Sequence, residues 1–146
     1  LQKSILYHGI EAYPVSSDEL RALNYSDLLV SKLDIFDHLH QASWHKEIQI
    51  TKHFVLKKRQ EFFTEIKDVN FFDIVYFDAF GPRVQPDLWT PSIFKMMYTA
   101  MRLGSVLVTY SAKGSVRRAM QEVGFEVERL SGPPGKREML RATKIS

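Results

Sequence analysis

The sequence contains no cysteine, which excludes disulfides, iron–sulfur clusters and thiolate zinc sites from this chain. No apolar run approaches the roughly 18 residues that cross a membrane as a helix. We therefore expect a protein of the reducing cytoplasm that does not enter a membrane. Disorder is excluded by the ten Phe, six Tyr and two Trp, which a solvated coil would not carry. The length of 146 residues predicts a single domain, residues 1–146.

The histidine and serine patterns exclude several classes of enzyme. His38, His40 and His45 are close in sequence, but they lack the i, i+4 or His-x-Glu spacing of metal ligands, so we expect a solvated helix surface and no metal site. No Gly-x-Ser-x-Gly elbow surrounds any serine, which argues against a serine hydrolase. The stretch 111–115 resembles a phosphate-binding turn that leads into a helix. It lacks the full Walker spacing, which excludes a P-loop NTPase.

Hydrophobic patterning predicts strands that alternate with helices, and this alternation indicates an α/β sheet. We expect the sheet to be mostly parallel, with an antiparallel hairpin at its C-terminal end. The predicted strands are Ile5–Ile10, an extended stretch or hairpin over 48–58, Phe71–Phe77, Gly104–Tyr110, Phe125–Leu130 and Glu138–Thr143. The predicted helices are one capped by Ser16 and Glu19, then 25–42, 61–66, 91–102 and 115–123. The continuous apolar character of Phe71–Phe77 predicts a central strand.

Two of the predicted strands end at an acidic residue. In open α/β sheets, ligands bind at the carboxyl ends of the strands. Glu11 ends the first strand, where nucleotide-binding sheets place a carboxylate that accepts ribose hydroxyls; a solvated turn residue is the alternative. Asp78 ends the strand Phe71–Phe77, where a carboxylate can orient an amine or accept its proton. A turn or helix-capping role is the alternative for Asp78.

The C-terminal third of the chain is basic. Eight Lys and Arg stand against four Glu between Ser111 and Lys144, an excess of four that is larger than the net charge of the whole chain, +3. With a Gly- and Pro-rich stretch at 131–137, this face can hold a phosphate backbone. A solvated helix and hairpin is the alternative.

Three ordered motifs stand out in the sequence. The first runs from Asp73 to Pro82, ending in Asp-Ala-Phe-Gly-Pro, and continues through Gln-Pro-Asp-Leu-Trp-Thr at 85–90. The second comprises 104–110 with 113–118, and the third comprises 123–125 with 135–140. Together these motifs resemble those of the MnmC-like methyltransferases, and the resemblance covers roughly residues 73–143 strongly and the first seventy residues weakly. The matching order and spacing of three motifs make it specific.

This resemblance implies the Rossmann-like fold of class I methyltransferases and S-adenosyl-L-methionine as the cofactor. The activity of the family is the final N-methylation of a 5-aminomethyl (2-thio)uridine at the wobble position of tRNA. The family's glycine-rich cofactor loop would precede Leu1, so we expect the first strand and helix of the fold to be missing. This chain alone is then expected to bind the cofactor poorly and to be inactive. The oxidase domain fused to some relatives is also absent, which implies a stand-alone methyltransferase.

The resemblance also implies roles for individual residues. Glu11, Tyr13, Asp78 and Ala79 would bind the cofactor, and Asp78 would accept the proton of the attacking amine. Phe80 and Pro82 would shape the substrate pocket. The tRNA backbone would contact four basic residues, Lys113, Arg117, Lys136 and Arg137. After the third strand this chain reads Lys-Lys-Arg-Gln at 57–60 where many relatives have Gly-Asp, which leaves the adenine contact unassigned.

Two other functions remain open from the sequence. A methyltransferase for a small-molecule amine would use the same Asp78 without needing the basic face. A non-catalytic binding module is the second alternative, because the glycine-rich loop is missing. Salt dependence of substrate binding separates the first alternative from a tRNA enzyme.

Overall fold

The structure is a computed structural model that describes residues 3–25, 33–132, 134–135 and 137–146; at positions 33 and 34 it describes only the backbone. The chain divides into two compact units, Leu1–Phe62 and Phe63–Ser146. Each unit contains its own sheet. The single domain expected over residues 1–146 stays a prediction.

The first unit contains a three-stranded sheet in the order β1-β3-β2. Its strands are β1 (Ile5–Ile10), β2 (Glu47–Thr51) and β3 (Phe54–Arg59). Strands β2 and β3 pair antiparallel as a hairpin, which confirms one of the two expectations for residues 48–58. Strand β1 pairs parallel with β3. The carboxyl ends of β1 and β3 therefore lie at the same edge of the sheet.

Two described helices belong to the first unit, α1 (Ser17–Ala22) and α2 (Leu33–Gln41). The predicted capping box begins α1. The Ser16 Oγ accepts the Glu19 amide, and the Glu19 carboxylate accepts the Ser16 amide at 2.7 Å. The helix predicted over 25–42 is confirmed in its C-terminal part as α2, and residues 26–32 of that prediction lie outside the described residues.

The second unit contains a four-stranded sheet in the order β4-β5-β7-β6. Its strands are β4 (Phe72–Tyr76), β5 (Met101–Thr109), β6 (Phe125–Ser131) and β7 (Glu138–Lys144). Two α-helices, α3 (Pro91–Ala100) and α4 (Gly114–Glu122), and two short 3-10 turns, Phe63–Glu65 and Pro86–Trp89, complete it. The β6–β7 pair is the antiparallel hairpin expected at the C-terminal end.

The α/β class is confirmed, but the parallel share is smaller than expected. Among the described strands, β1–β3 and β4–β5 pair parallel, whereas β2–β3, β5–β7 and β6–β7 pair antiparallel. The β2–β3 hairpin adds an antiparallel strand to the first sheet, and β7 returns beside β5. Sequence patterning did not reveal the pairing of β7 with β5, because strand periodicity carries no information about strand direction.

Two expectations for the second unit were wrong in detail. The helix predicted over 91–102 ends at Ala100, because Met101 is extended and pairs with Phe72 in the neighbouring strand. Strand β4 lies at the edge of its described sheet rather than at its centre. Its face with Phe77 packs into the core, whereas Ile74 and Tyr76 on the other face are 51% and 66% exposed.

The core of the second unit is aromatic and lies against one face of the sheet. The Phe77 ring contacts the rings of Trp89, Phe94 and Phe63 at centroid distances of 5.1, 5.2 and 5.5 Å. Phe94 and Leu107 are fully buried. Aromatic pairs of this kind stabilise beyond their buried area by about 0.5–1.5 kcal/mol each. They hold β4, the 86–89 turn and α3 in fixed positions beneath the loop that follows β4.

A polar cluster lies at the edge of this sheet where β4 and β5 begin. The buried Lys144 ammonium donates to the Asn70 side chain at 3.0 Å and to the Met101 carbonyl at 2.8 Å, and it lies 4.9 Å from the Tyr98 ring. The Tyr98 hydroxyl donates to the Ser146 carbonyl. Buried polar groups with partners of this kind fix packing without exposing the cation to solvent.

In the described part of the chain, no helix is long and apolar enough to cross a membrane.

Candidate functional site

Three loops of the second unit emerge at one edge of its sheet. Strands β4 and β5 are parallel, so residues 78–85 and 110–113 follow their carboxyl ends on the same side. Strand β7 is antiparallel to β5, and Leu140 pairs with Thr109, so the segment that precedes β7 also lies there. We call these loops (78–85, 110–113 and the described residues 132, 134–135 and 137), with the start of α4, the carboxyl edge. Ligand sites of α/β sheets lie at this end of the strands.

Asp78 lies at the carboxyl edge directly after the last residue held by the sheet. The Phe77 amide donates to the Val108 carbonyl at 2.9 Å, and the Phe77 side chain is only 3% exposed. Asp78 itself is exposed, and among the described residues its carboxylate has no hydrogen-bond or ion-pair partner. A carboxylate with all its lone pairs available is able to accept hydrogen bonds from an approaching amine.

The loop after Asp78 is held by two side-chain hydrogen bonds. The Tyr110 hydroxyl donates to the Ala79 carbonyl at 2.8 Å, and the Trp89 indole donates to the Phe80 carbonyl at 2.8 Å. The chain then turns at Gly81, whose carbonyl accepts the Val84 amide at 2.8 Å. The Phe80 ring is 71% exposed on this held backbone. An aromatic face is therefore presented to solvent two residues from the Asp78 carboxylate.

The basic residues predicted for phosphate binding divide into two groups. Lys113 precedes α4, Arg117 lies one turn into α4, and Arg137 precedes β7, so all three belong to the carboxyl edge. Lys113 and Arg137 are exposed, and Arg117 is half-buried. Lys136 lies outside the described residues. The carboxyl edge thus carries both the free carboxylate and a set of cations.

Three other cations of the C-terminal third, Arg129, Arg141 and Lys144, are paired or buried. Arg141 forms an ion pair with Glu128 at 2.7 Å across the β6–β7 hairpin, and this hydrogen bond lowers the pKa of the Glu128 carboxyl. Arg129 lies 3.6 Å from Glu138. Lys144 is buried at the opposite edge. The basic face is therefore narrower than the sequence indicated, because pairing across a hairpin cannot be read from composition.

Glu11 and Tyr13 lie at the carboxyl ends of β1 and β3 in the first unit. The Glu11 amide donates to the Arg59 carbonyl at 3.0 Å, which places Glu11 immediately after the ladder. One Glu11 carboxylate oxygen accepts the Tyr13 amide at 2.9 Å. The Tyr13 ring is 73% exposed and meets Phe62 edge-on at 5.8 Å. The carboxylate is thus oriented by its own backbone and keeps acceptor capacity for a ligand.

Sequence reasoning missed three residues beside Glu11. Arg59 ends β3 and forms an ion pair of 2.6 Å with Glu61, with both side chains largely buried. Phe62 supports the Tyr13 ring. The signal that could have identified these residues is their position at the end of a strand that runs parallel to β1. The pairing of β1 with β3, which places both strand ends together, was not visible in the sequence.

The histidines near α2 form no ligand cluster. Burial lowers the pKa of His40, the nearby Lys58 ammonium lowers it further, and Asp37 partly opposes both effects. Lys58 donates to the His40 carbonyl at 2.6 Å and lies over the Trp44 ring. Burial also lowers the pKa of Lys58. Across the described ranges, no three His, Asp or Glu side chains come together as a metal site.

Comparison with known proteins defines the class of protein. The model of a family of S-adenosyl-L-methionine-dependent methyltransferases matches residues 31–145. Because the match covers most of the sequence, the chain belongs to this family. The cofactor of the family is S-adenosyl-L-methionine, as the resemblance implied.

The relatives within this class confirm the resemblance to MnmC-like proteins. The tRNA 5-methylaminomethyl-2-thiouridine biosynthesis bifunctional protein MnmC of Hydrogenovibrio crunogenus is 31% identical over 90% of this chain and 20% of its own length. The protein of the same name from Ralstonia nicotianae is 45% identical over 46% of this chain and 10% of its own length. The chain therefore spans a fifth or less of the length of these two relatives.

A solved structure confirms the fold. The crystal structure of MNMC2 from Aquifex aeolicus has a TM-score of 0.66 and 20% identity, and the match covers 98% of this chain and 45% of that one. A possible exported protein from Bordetella parapertussis gives a TM-score of 0.51 at 10% identity, covering 62% of this chain and 45% of that one. These similarities show a Rossmann-like methyltransferase fold.

The residues of the first unit fit the nucleoside part of this cofactor. The Glu11 carboxylate has one oxygen on the Tyr13 amide and, among the described residues, no partner on the other. A carboxylate offers about four lone-pair sites, enough for both ribose hydroxyls. The exposed Tyr13 ring offers a flat surface to adenine. Glu11 and Tyr13 are thus the residues of this unit that would hold the cofactor.

Replacing Glu11 with Gln is expected to weaken cofactor binding about tenfold, because a charge-assisted hydrogen bond to a ribose hydroxyl, worth roughly 1.5–3 kcal/mol, becomes a neutral one worth roughly 0.5–1.5 kcal/mol. Isothermal titration of S-adenosyl-L-methionine into the full-length protein measures the change. Glu47→Gln is the matched control, since Glu47 lies on β2 and pairs only loosely with Lys57 at 3.9 Å. Equal affinities for Glu11→Gln and the unchanged protein would remove Glu11 from the cofactor site.

Proposed function

We propose that the protein is an N-methyltransferase that acts on the 5-aminomethyl group of a modified wobble uridine in tRNA. The supporting observation is the carboxyl edge of the second unit. It combines the exposed, unpaired Asp78 carboxylate, the exposed Phe80 ring and the cations Lys113, Arg117 and Arg137. The names of the MnmC relatives point to the same modified nucleoside.

Asp78 acts on the attacking amine. A primary alkylamine is mostly protonated at neutral pH, and only the neutral form has a lone pair to attack with. The Asp78 carboxylate hydrogen-bonds the ammonium group, orients it and accepts its proton directly or through water. When bound, S-adenosyl-L-methionine would supply an electrophilic methyl group on a sulfonium sulfur, with the neutral thioether as the leaving group. The main tasks left for the protein are therefore to position the amine and to remove its proton.

Phe80 and Pro82 hold the base that carries the amine. The exposed Phe80 ring offers a stacking surface, and base–aromatic stacking is worth about 1–3 kcal/mol per base. A wobble nucleotide lies in an unpaired loop, where its base is free to stack on a protein ring. The half-buried Pro82 restricts the turn that follows Phe80. Ala79 is small and leaves space beside Asp78 for the reacting groups.

The cations of the carboxyl edge bind the tRNA backbone around that base. Lys and Arg exceed Asp and Glu by three in the second unit, whereas the two charge types are equal in the first unit. Lys113 and Arg117 lie at the start of α4 and Arg137 precedes β7, and these cations would contact phosphates of the tRNA backbone. Lys136 adds a fourth charge next to Arg137 in the sequence. An enzyme with this substrate works in the cytoplasm, in agreement with the cysteine-free composition.

The test is a methylation assay with two substrates. The full-length protein is incubated with S-adenosyl-L-methionine and either tRNA that carries the 5-aminomethyl-2-thiouridine or the corresponding free nucleoside. Digestion and mass spectrometry are expected to find one added methyl group on the wobble nucleoside of the tRNA, with much slower reaction of the free nucleoside. Equal rates for both substrates would favour a small-molecule amine methyltransferase. Reaction with neither substrate would contradict the proposal.

A further inference from the structure

The loop between β4 and α3 receives hydrogen bonds from two rigid aromatic side chains of different elements. Ala79 and Phe80 follow the end of the sheet ladder, so their carbonyls have no partner on a neighbouring strand. Tyr110, directly after β5, donates to the first carbonyl at 2.8 Å. Trp89, at the end of the 86–89 turn, donates to the second at 2.8 Å.

The two donors are themselves held in place. The Trp89 ring is 6% exposed and lies edge-on to Phe77 at 5.1 Å and to Tyr110 at 6.1 Å. Rings packed in this way have few alternative rotamers, so their polar atoms act as fixed points. The Trp89 indole N–H therefore connects the aromatic core to the loop that carries Asp78 and Phe80.

We propose that Trp89 and Tyr110 are positioning residues that set the place of the Asp78 carboxylate and the Phe80 ring through two hydrogen bonds to the loop backbone. This inference rests on the proposed function of Asp78. Neither residue needs to touch the substrate. Catalysis depends on the reacting groups being held within about 0.5 Å of their productive geometry, and a displacement of 1 Å costs up to about 10²-fold in rate. Removing one of the two donors should therefore lower the turnover number without unfolding the loop.

Tyr110→Phe tests the inference because it deletes only the hydroxyl. We expect kcat to fall about tenfold, with the affinity for S-adenosyl-L-methionine unchanged. Tyr98→Phe is the matched control, since it removes a hydroxyl hydrogen bond of a buried tyrosine beside the other end of β5. Tyr98 precedes the start of β5 and Tyr110 follows its end, so the control position does not belong to the carboxyl edge. Tyr98→Phe is expected to shift Tm by a similar amount and to keep kcat within about twofold.

A double-mutant cycle with Asp78→Asn separates positioning from general stability. If Tyr110 acts through Asp78, Tyr110→Phe adds little once the carboxylate is gone, because contributions of coupled residues are not additive. A further tenfold loss in that background would overturn the inference. The inference would also be overturned if Tyr110→Phe and Tyr98→Phe had the same kcat while Asp78→Asn was strongly impaired. In that case the proposed function would still stand. Full activity of Asp78→Asn would overturn both.

Trp89→Phe provides a second variant that keeps an aromatic ring in the core and removes the indole N–H. The expected result is again a lower kcat, together with a higher KM for the tRNA because the Phe80 carbonyl loses its donor. The variant that combines Tyr110→Phe with Trp89→Phe should be less impaired than the product of the two single effects, since both act on one loop. If the decrease in kcat of the combined variant equals the product of the two single decreases, Trp89 and Tyr110 act independently.

Discussion

Asp78→Asn in the full-length protein is expected to lower kcat by about 10²–10⁴-fold, the range for a positioned acid–base group. The substitution keeps the shape of the side chain and removes its charge and basicity. Because Asp78 is exposed and has no partner among the described residues, the fold loses no hydrogen bond or ion pair. Affinity for S-adenosyl-L-methionine should stay within a few-fold. Single-turnover methylation of the modified tRNA measures the chemical step directly.

Asp73→Asn is the control for this experiment. Asp73 lies on the same strand, and both of its oxygens accept the Arg102 guanidinium, at 2.8 and 3.0 Å. An exposed pair of this kind contributes about 0–1 kcal/mol to stability. Its loss should be visible in thermal unfolding and absent from kcat. A normal turnover number for Asp78→Asn, or a larger loss for Asp73→Asn, would show that Asp78 is not the catalytic carboxylate.

The second large effect is expected from the cations of the carboxyl edge. The double variant Lys113→Ala with Arg137→Ala removes two exposed charges from two different loops. Each phosphate contact contributes about 0.7–0.9 to the slope of log affinity against log salt. If the double variant and the unchanged protein bind tRNA equally at 1 M salt, the loss of two contacts makes the variant bind roughly 25- to 60-fold more weakly at 0.1 M salt. Filter binding across a salt series measures both the affinity and the slope.

A second double variant shows whether the effect is local. Lys67→Ala with Lys95→Ala removes the same net charge from a shallow groove that both residues line with Val69 and Thr99. It changes the overall charge of the protein without touching the carboxyl edge, so the slope should stay unchanged. An equal decrease in slope for both double variants would mean that net charge, and not the carboxyl edge, attracts the tRNA.

The strand order also separates the proposed catalytic acid from the proposed phosphate-binding cations along the carboxyl edge. Asp78 and Phe80 follow β4, whereas Lys113 and Arg137 follow or precede the neighbouring strands β5 and β7. Adjacent strands are about 4.8 Å apart, so the cations lie to one side of the carboxylate. A nucleotide stacked on Phe80 can thus place its amine at Asp78 while its phosphates lie toward β5 and β7. The arrangement keeps the Asp78 carboxylate clear of ion pairing with these cations.

The sequence by itself determined the class of fold, the bounds of most elements and the position of Asp78 at a strand end. It did so because hydrophobic periodicity and the Ser16 capping box are local signals that tertiary contacts did not override. The Asp-Ala-Phe-Gly-Pro segment with its neighbouring motifs also carried the resemblance to the family. These features depend on residues close together along the chain.

Only the tertiary structure decided which side chains share an edge. Strand pairing placed Lys113 and Arg137 beside Asp78, and it removed Arg141 from the basic face by pairing it with Glu128. It also made Trp89 and Tyr110 donors to one loop, although 21 positions separate them in the sequence. Such contacts depend on strand order and direction. A hydrophobic pattern with a period of two residues is the same for every order and direction, so the sequence pattern could not reveal them.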